Sequence, residues 1–293
     1  MGGHRAVLGI SLVLWVATLS GSAQQVAQIY STNEWQNSLQ LINFQTGKVV
    51  NLYSTAPKPD DLTINSAGQL IYSLPNSGTV DLYDPSTGIN TILVSGIGGA
   101  RDLTVEPGGN SLLISKYGDP AEIWRYSFIT KTASVFFPKT KGISAFDGTA
   151  YDAYGNLYAV ASHNTIIQID PVTAAIKNTL VTQPHNGIDG GDGLTYDSYT
   201  NSLWTPNDGK TSPLGYGLIQ IPVQPTGFVS ASPGLIFHPL NVVGMDGIKS
   251  DGNGNLYIGA IHTAFVYNIS TGAITYSVVT KGADGVALVP GTY

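Results

Sequence analysis

The sequence predicts an all-β fold: a six-bladed β-propeller, four antiparallel strands per blade, with the ring closed by the C-terminal strand joining the N-terminal blade. Three observations carry this. A strand-opening marker recurs six times, as "DDLTIN" from Asp60, "RDLTVE" from Arg101, "DGTAYD" from Asp147, "DGLTYD" from Asp192, "DGIKSD" from Asp246 and "DGVALV" from Asp284. A turn marker recurs with it, in "FQTGKV", "DPSTGI", "SFITKT", "DPVTAA", "QPTGFV" and "NISTGA". The resulting period of about 45 residues is room for four short strands and their turns, the unit of a propeller blade. Finally, charged residues make up only 11% while Gly numbers 35 and Tyr 16. That composition suits turn-rich β-structure and neither helices nor disorder.

Taken in order, the chain opens with His4 and Arg5, an apolar run over 6–19 and small residues including Gly21 and Ala23. Residues 1–23 read as a cleaved secretory signal, because the run is shorter than the roughly 20 residues of a membrane span. The remainder, 24–293, reads as one exported domain, secreted or periplasmic, monomeric and without a membrane span after cleavage. It has no cysteine, and a chain of this size buries enough surface to fold without disulfides. The formal net charge of −6 argues against nucleic acid as a partner, since that calls for basic patches. A small molecule is the expected ligand.

Each unit has one grammar. A short strand follows the leading residue, and an acidic or Asn turn closes it. A second strand such as "NLYAV" or "NLYIG" and a third such as "NTIIQID" follow. The Thr-Gly turn, which supplies a position with positive φ, leads to a fourth. The first unit departs from this: 26–56 supply three strands but no leading marker. The missing inner strand is "DGVALVP" from Asp284, which pairs with the N-terminal blade and removes an open edge.

First strands line the channel of such a ring, so Asp60, Arg101, Asp147, Asp192, Asp246 and Asp284 are expected at one end of it. The loops before first strands and between second and third strands emerge on the same face. They carry His163, His185, His238, His262 and Trp35, as well as the long insertion of the fifth unit. Two readings of the Asp ring stand side by side. Each carboxylate could cap its own strand by accepting backbone N–H groups. Alternatively, crowding at a narrow mouth requires protonation or a guest cation, with a hard divalent ion, Ca²⁺ foremost, favoured by oxygen donors. The histidines show no Zn²⁺-ligand spacing. Asp152, Asp197 and Asp251 read as turn residues. The sequon at Asn268 overlaps a Thr-Gly turn.

The pattern of a "DG" pair, an apolar residue and a later "GNLY", best seen in "MDGIKSDGNGNLYIG" and "FDGTAYDAYGNLYAV", resembles the senescence marker protein, gluconolactonase and luciferin-regenerating enzyme superfamily. More distantly it is similar to NHL-repeat and virginiamycin B lyase propellers. The resemblance to the first group implies one divalent cation in the central channel and hydrolysis of lactones or related esters. Its "DG" Asp, both ligand and general base, matches Asp246. Its "NGL" Asn falls on Asp192, and its first-blade Glu has no match, Asp284 standing in the equivalent strand. The implied metal set is Asp147, Asp192, Asp246 and Asp284. His163 and His262 would assist Asp246, and Arg101, His185, His238 and Trp35 would contact substrate. The alternative is a non-catalytic propeller that binds a ligand or partner protein on the same face.

Overall fold

The computed structural model describes residues 26–55, 57–162, 165–181, 193–207, 214–227 and 234–293. Among the described residues, twenty-four strands form six four-stranded antiparallel sheets. Blade one is β1 (Gln28–Asn33), β2 (Ser38–Asn43) and β3 (Lys48–Ser54), completed by β24 from the other end of the chain. Blade two is β4 (Leu62–Ile64), β5 (Leu70–Leu74), β6 (Thr79–Asp84) and β7 (Ile89–Ser95). Blade three is β8 (Ala100–Val105), β9 (Ser111–Lys116), β10 (Ile123–Ser127) and β11 (Thr132–Phe137). Blade four is β12 (Phe146–Tyr151), β13 (Leu157–Ala161), β14 (Thr165–Ile169) and β15 (Ile176–Val181). Blade five is β16 (Thr195–Asp197), β17 (Ser202–Asn207), β18 (Gly217–Pro222) and β19 (Ile236–Pro239). Blade six is β20 (Met245–Ser250), β21 (Asn255–Ala260), β22 (Thr263–Asn268) and β23 (Ala273–Val279), and β24 (Ala283–Leu288) returns to blade one.

The closure expected from the incomplete first unit is present. β24 lies antiparallel to β1, with Ile29 opposite Leu288 and Ser31 opposite Val286. Burial follows strand rank. The second strands β5, β13, β17 and β21 are buried along their whole length. The outer strands β3, β7 and β23 are exposed or half-buried along nearly all their length. Apolar residues on both faces of the second strands are therefore required, and each face packs on a neighbouring blade. The core is accordingly not one cluster. Six clusters each span one blade-to-blade interface, from Leu39 with Tyr72 between blades one and two to Ile29 with Val266 between blades one and six.

The acidic turns are structural. Asp152 accepts the N–H groups of Tyr154 and Asn156, the Asn156 amide and the Tyr158 hydroxyl. Asp251 repeats the pattern with Asn253 and Asn255. Asp197 accepts Thr200 N–H and the Ser250 hydroxyl of the next blade. Asn268 closes the β22–β23 turn by accepting Thr271 N–H.

Candidate functional site

The inner strands deliver the site. In blades one, three, four and six the pairing of first and second strand shifts register at the leading residue, between Ala100 and Leu103, Phe146 and Gly148, Met245 and Ile248, and opposite Ser31–Asn33. A β-bulge re-aims a side chain that would otherwise obey strict alternation. Here Arg101, Asp147, Asp246 and Asp284 all line a cavity of about 220 Å³ at one mouth of the channel, together with Asp60 of blade two. Glu34 reaches the same cavity from the β1–β2 turn, where Lys58 pairs with it at 2.6 Å.

The next residue of each marker forms a second ring. In four blades it is glycine, and each sits against the following blade. A Cβ at Gly148 would lie 2.7 Å from Leu194 N, and one at Gly285 would lie 2.7 Å from Leu62 N. In blades two and three the residue is aspartate, and its carboxylate reaches the equivalent amide instead. Asp61 Oδ2 accepts Leu103 N–H at 2.8 Å. Asp102 Oδ2 accepts Thr149 N–H at 2.9 Å and the Thr149 hydroxyl at 2.8 Å. Lys249, two residues beyond Gly247, also lines the cavity. Asp61, Asp102 and Lys249 are not among the residues that the sequence pattern singles out. A signal for them is present all the same: "DD" and "RD" break a run of "DG", and only the marker at Asp246 has Lys in fourth place.

Among the described residues, seven carboxyl groups and two cationic side chains thus line one small space. Two pairs of these carboxyls are hydrogen-bonded to one another. Asp284, fully buried, has its pKa raised well above the carboxylate range by burial, then by the charges of Asp246 and Asp60, and it hydrogen-bonds Asp246. The Asp61 carboxyl is pushed up to about 8 by burial and the charge of Asp102, to which it is hydrogen-bonded. Burial also raises Asp102, opposed first by the Lys249 charge. Arg101 spans the ring, 3.5 Å from both Asp60 and Asp147, with its guanidinium over the Tyr117 ring at 4.6 Å.

The other expected site residues fall elsewhere. His238 is not in a mouth loop but on β19, the outer strand of blade five. It is packed on Trp204 at 4.7 Å, with one ring nitrogen on Gln220 and the other on the Tyr267 hydroxyl. Burial lowers its pKa. Both nitrogens are occupied at the interface of blades five and six, so it joins these blades and does not line the cavity. His262 lies exposed in the β21–β22 turn, 5.5 Å from the half-exposed Trp35 ring in an edge contact. The pair stands on the rim beside Glu34, whose N–H donates to Gly282 O, and outside the cavity lining. Asp192, His163 and His185 lie outside the described residues.

The donor set is all oxygen, the class that suits Ca²⁺ or Mg²⁺ and not Zn²⁺. Among the described residues no three His, Cys, Asp or Glu side chains converge as a metal-binding group.

Fold and site together define a six-bladed β-propeller with an acidic cavity in its central channel. No family model and no curated protein sequence matches the chain. Solved structures do match. A propeller in the crystal structure of a nidogen/laminin complex superposes with a TM-score of 0.74 at 12% identity, over 90% of this chain and 98% of that one. Virginiamycin B lyase from Staphylococcus aureus gives 0.59 at 15% identity, over 86% and 81%. A streptogramin B lyase gives 0.57 at 16%, over 76% and 69%. At such identities these likenesses show the fold alone.

Proposed function

We propose that the acidic cavity is the site of an exported hydrolase of small lactones or related esters, with Asp246 and Asp284 as base and acid. The observation that carries this is the hydrogen bond between these two carboxyls in one polar cavity, where burial and then the Asp246 and Asp60 charges raise the Asp284 pKa well above the carboxylate range. Acid–base chemistry at neutral pH needs neighbouring groups whose pKa values are driven apart. Asp284, whose pKa burial raises, would donate a proton to a carbonyl oxygen. Asp246, hydrogen-bonded to Asp284, would take a proton from the attacking water. Arg101, held between Asp60 and Asp147, supplies positive charge at the same mouth for the oxyanion.

The resemblance to the gluconolactonase group adds a divalent cation. Asp147, Asp246 and Asp284, with Asp192, would supply the oxygen donors that Ca²⁺ takes, although the described ones do not converge as a metal-binding group in this structure. When bound it would polarise a carbonyl oxygen or water. Binding would require Asp284 to give up its proton, so cation affinity should rise with pH.

The test is hydrolysis of a panel of small lactones and aryl esters by the purified protein, with and without Ca²⁺. Asp246→Asn and Asp284→Asn should each lower kcat/KM by roughly 10²–10⁴-fold, the usual worth of a positioned acid or base, while the melting temperature stays near that of the parent. A second reading has its own observation. Asp61 and Asp102 spend their carboxylates on neighbouring backbone amides, a structural use of the ring that suits a binding propeller, as the nidogen neighbour in its laminin complex illustrates. An inactive parent across the panel, with no Ca²⁺-dependent melting shift, would favour that reading.

A further inference from the structure

We infer that the outer strands where blade one meets blade six carry a second ligand site, built for the oxyanion group of a small ligand. This does not rest on the hydrolase reading. A cleft of about 340 Å³ opens there between β3 and the segment that joins β23 to β24. Gln36, Asn51, Thr280 and Lys281 line it, and Val49 and Val279 complete its walls. None of its lining residues is acidic, in a chain whose net charge is −6. Gln40 of β2 lines it as well, yet is only 2% exposed. The third residue of the corresponding strand is Ile219 in β18 and Phe265 in β22, both buried. An amide in a place that other blades fill with an apolar side chain is costly unless its polar atoms are paired. The pairing sets the chemistry of the cleft.

A chain of hydrogen bonds that starts from a backbone group fixes the polarity. Gln36 N–H donates to Asn33 Oδ1 at 2.8 Å, so the other end of the Asn33 amide is its NH₂. That NH₂ donates to Gln40 Oε1 at 3.1 Å, which leaves Gln40 Nε2 as donor to the remaining neighbours. It donates to Gln36 Oε1 at 2.9 Å and to Asn51 Oδ1 at 2.7 Å. Both of these amide oxygens are thereby engaged on one nitrogen. The NH₂ groups of Gln36 and Asn51 are left over, with no partner among the described residues. The Lys281 ammonium makes no ion pair or hydrogen bond there either. Nor does the hydroxyl of Thr280, a residue almost wholly buried. Two amide donors, one ammonium and one hydroxyl call for a ligand that accepts hydrogen bonds and carries negative charge. A cation would find no carboxylate on the wall. A polyol would bring hydroxyl protons to amide oxygens that are already engaged.

The experiment is a titration of the purified ¹⁵N-labelled protein with sodium sulfate, phosphate and acetate, against sodium chloride at equal ionic strength and against glycerol. The side-chain NH₂ signals of Gln36 and Asn51 report the site directly. At least one of the oxyanions should move them, together with the Lys281 amide, in a saturable way that chloride and glycerol do not reproduce. The tightest of them identifies the headgroup as a sulfate ester, a phosphate ester or a carboxylate. Lys281→Met should weaken that binding about tenfold or more, the worth of a charge-assisted hydrogen bond. Gln40→Glu tests the relay itself. A carboxylate only accepts, so Gln36 and Asn51 must turn their NH₂ groups toward it and their oxygens to the cleft, and oxyanion binding should be lost. The idea is overturned if no oxyanion moves these signals beyond chloride, if glycerol binds equally tightly, if the shifts fall at the acidic mouth, or if Gln40→Glu folds and binds as the parent does. The titration of the parent decides the matter even if Gln40→Glu does not fold.

Discussion

At Asp61 burial and the adjacent Asp102 charge push in one direction, and the carboxyl keeps its proton up to about pH 8. In the unfolded chain the same group ionises near its ordinary value of 3.8. Between those limits the native state binds a proton that the unfolded state does not, so stability falls as pH rises. Asp102 and Asp284 are raised for the same reason and add to the slope. His238 has the opposite sign. Its lowered pKa costs stability only as pH drops below the unfolded histidine value of about 6.5. The clean window is therefore from about pH 6.5 to about pH 8, and there the melting temperature should decline. Asp61→Asn keeps an oxygen for Leu103 N–H but cannot titrate, so its decline should be shallower, each pKa unit removed being worth about 1.4 kcal/mol. A decline as steep as the parent's would show that Asp61 is already ionised in the fold.

Among the elements, the inner strands do most to shape the site, and they were only partly legible in sequence. The leading residues were identifiable because a marker repeated six times exposes its own phase. Their aim was not, because the bulges that turn Arg101, Asp147, Asp246 and Asp284 into the channel depend on pairing register, which spacing along one strand does not show. His238 reads as a loop residue in sequence for a related reason. The end of an outer strand and the start of a loop share composition, and only packing against Trp204 and Tyr267 distinguishes them. The second ring makes a sharper claim about strands. At Gly193 a Cβ would stand 2.7 Å from Asp246 O and 3.1 Å from the Ile248 side chain, so Gly193→Ala should force blades five and six apart. Overpacking of this kind costs about 1–3 kcal/mol, and backbone in the contact places this one toward the upper end. Thr149→Val tests the other half of the ring, where Asp102 ties blade three to blade four. Loss of that hydroxyl donor to a charged acceptor should cost about 1.5–3 kcal/mol. Urea denaturation of both variants measures the costs. A neutral Gly193→Ala would mean that the inner strands can separate freely.

On the scale of the whole molecule, closure was the most legible feature and polarity the least. A first unit without its marker, and a last marker without its unit, can be reconciled only by joining the ends. That Lys249 stands among the carboxyls of the channel depends on a side chain that no repeat announces. Closure also sets the cooperativity. The core is six clusters arranged in a circle, each shared by two blades, so no blade can leave without exposing two apolar faces. β24 matters twice in this scheme. It pairs with β1, and its Val286 packs with Ile29, Tyr257 and Val266 between blades one and six, while Ala287 packs with Leu39 and Tyr72 between blades one and two. Truncation after Gly282 would uncover the β1 edge and open both clusters. An unpaired, apolar strand edge is a template for association with other chains. The truncated protein should therefore be recovered as soluble aggregate or without a cooperative melt, by size-exclusion chromatography and thermal denaturation. A peptide spanning 283–293, added in excess, should restore part of the monomeric, cooperatively melting fraction by refilling the gap. A truncated chain that stays monomeric and melts cooperatively near the parent temperature would mean that the remaining interfaces suffice and that the ring does not depend on its clasp.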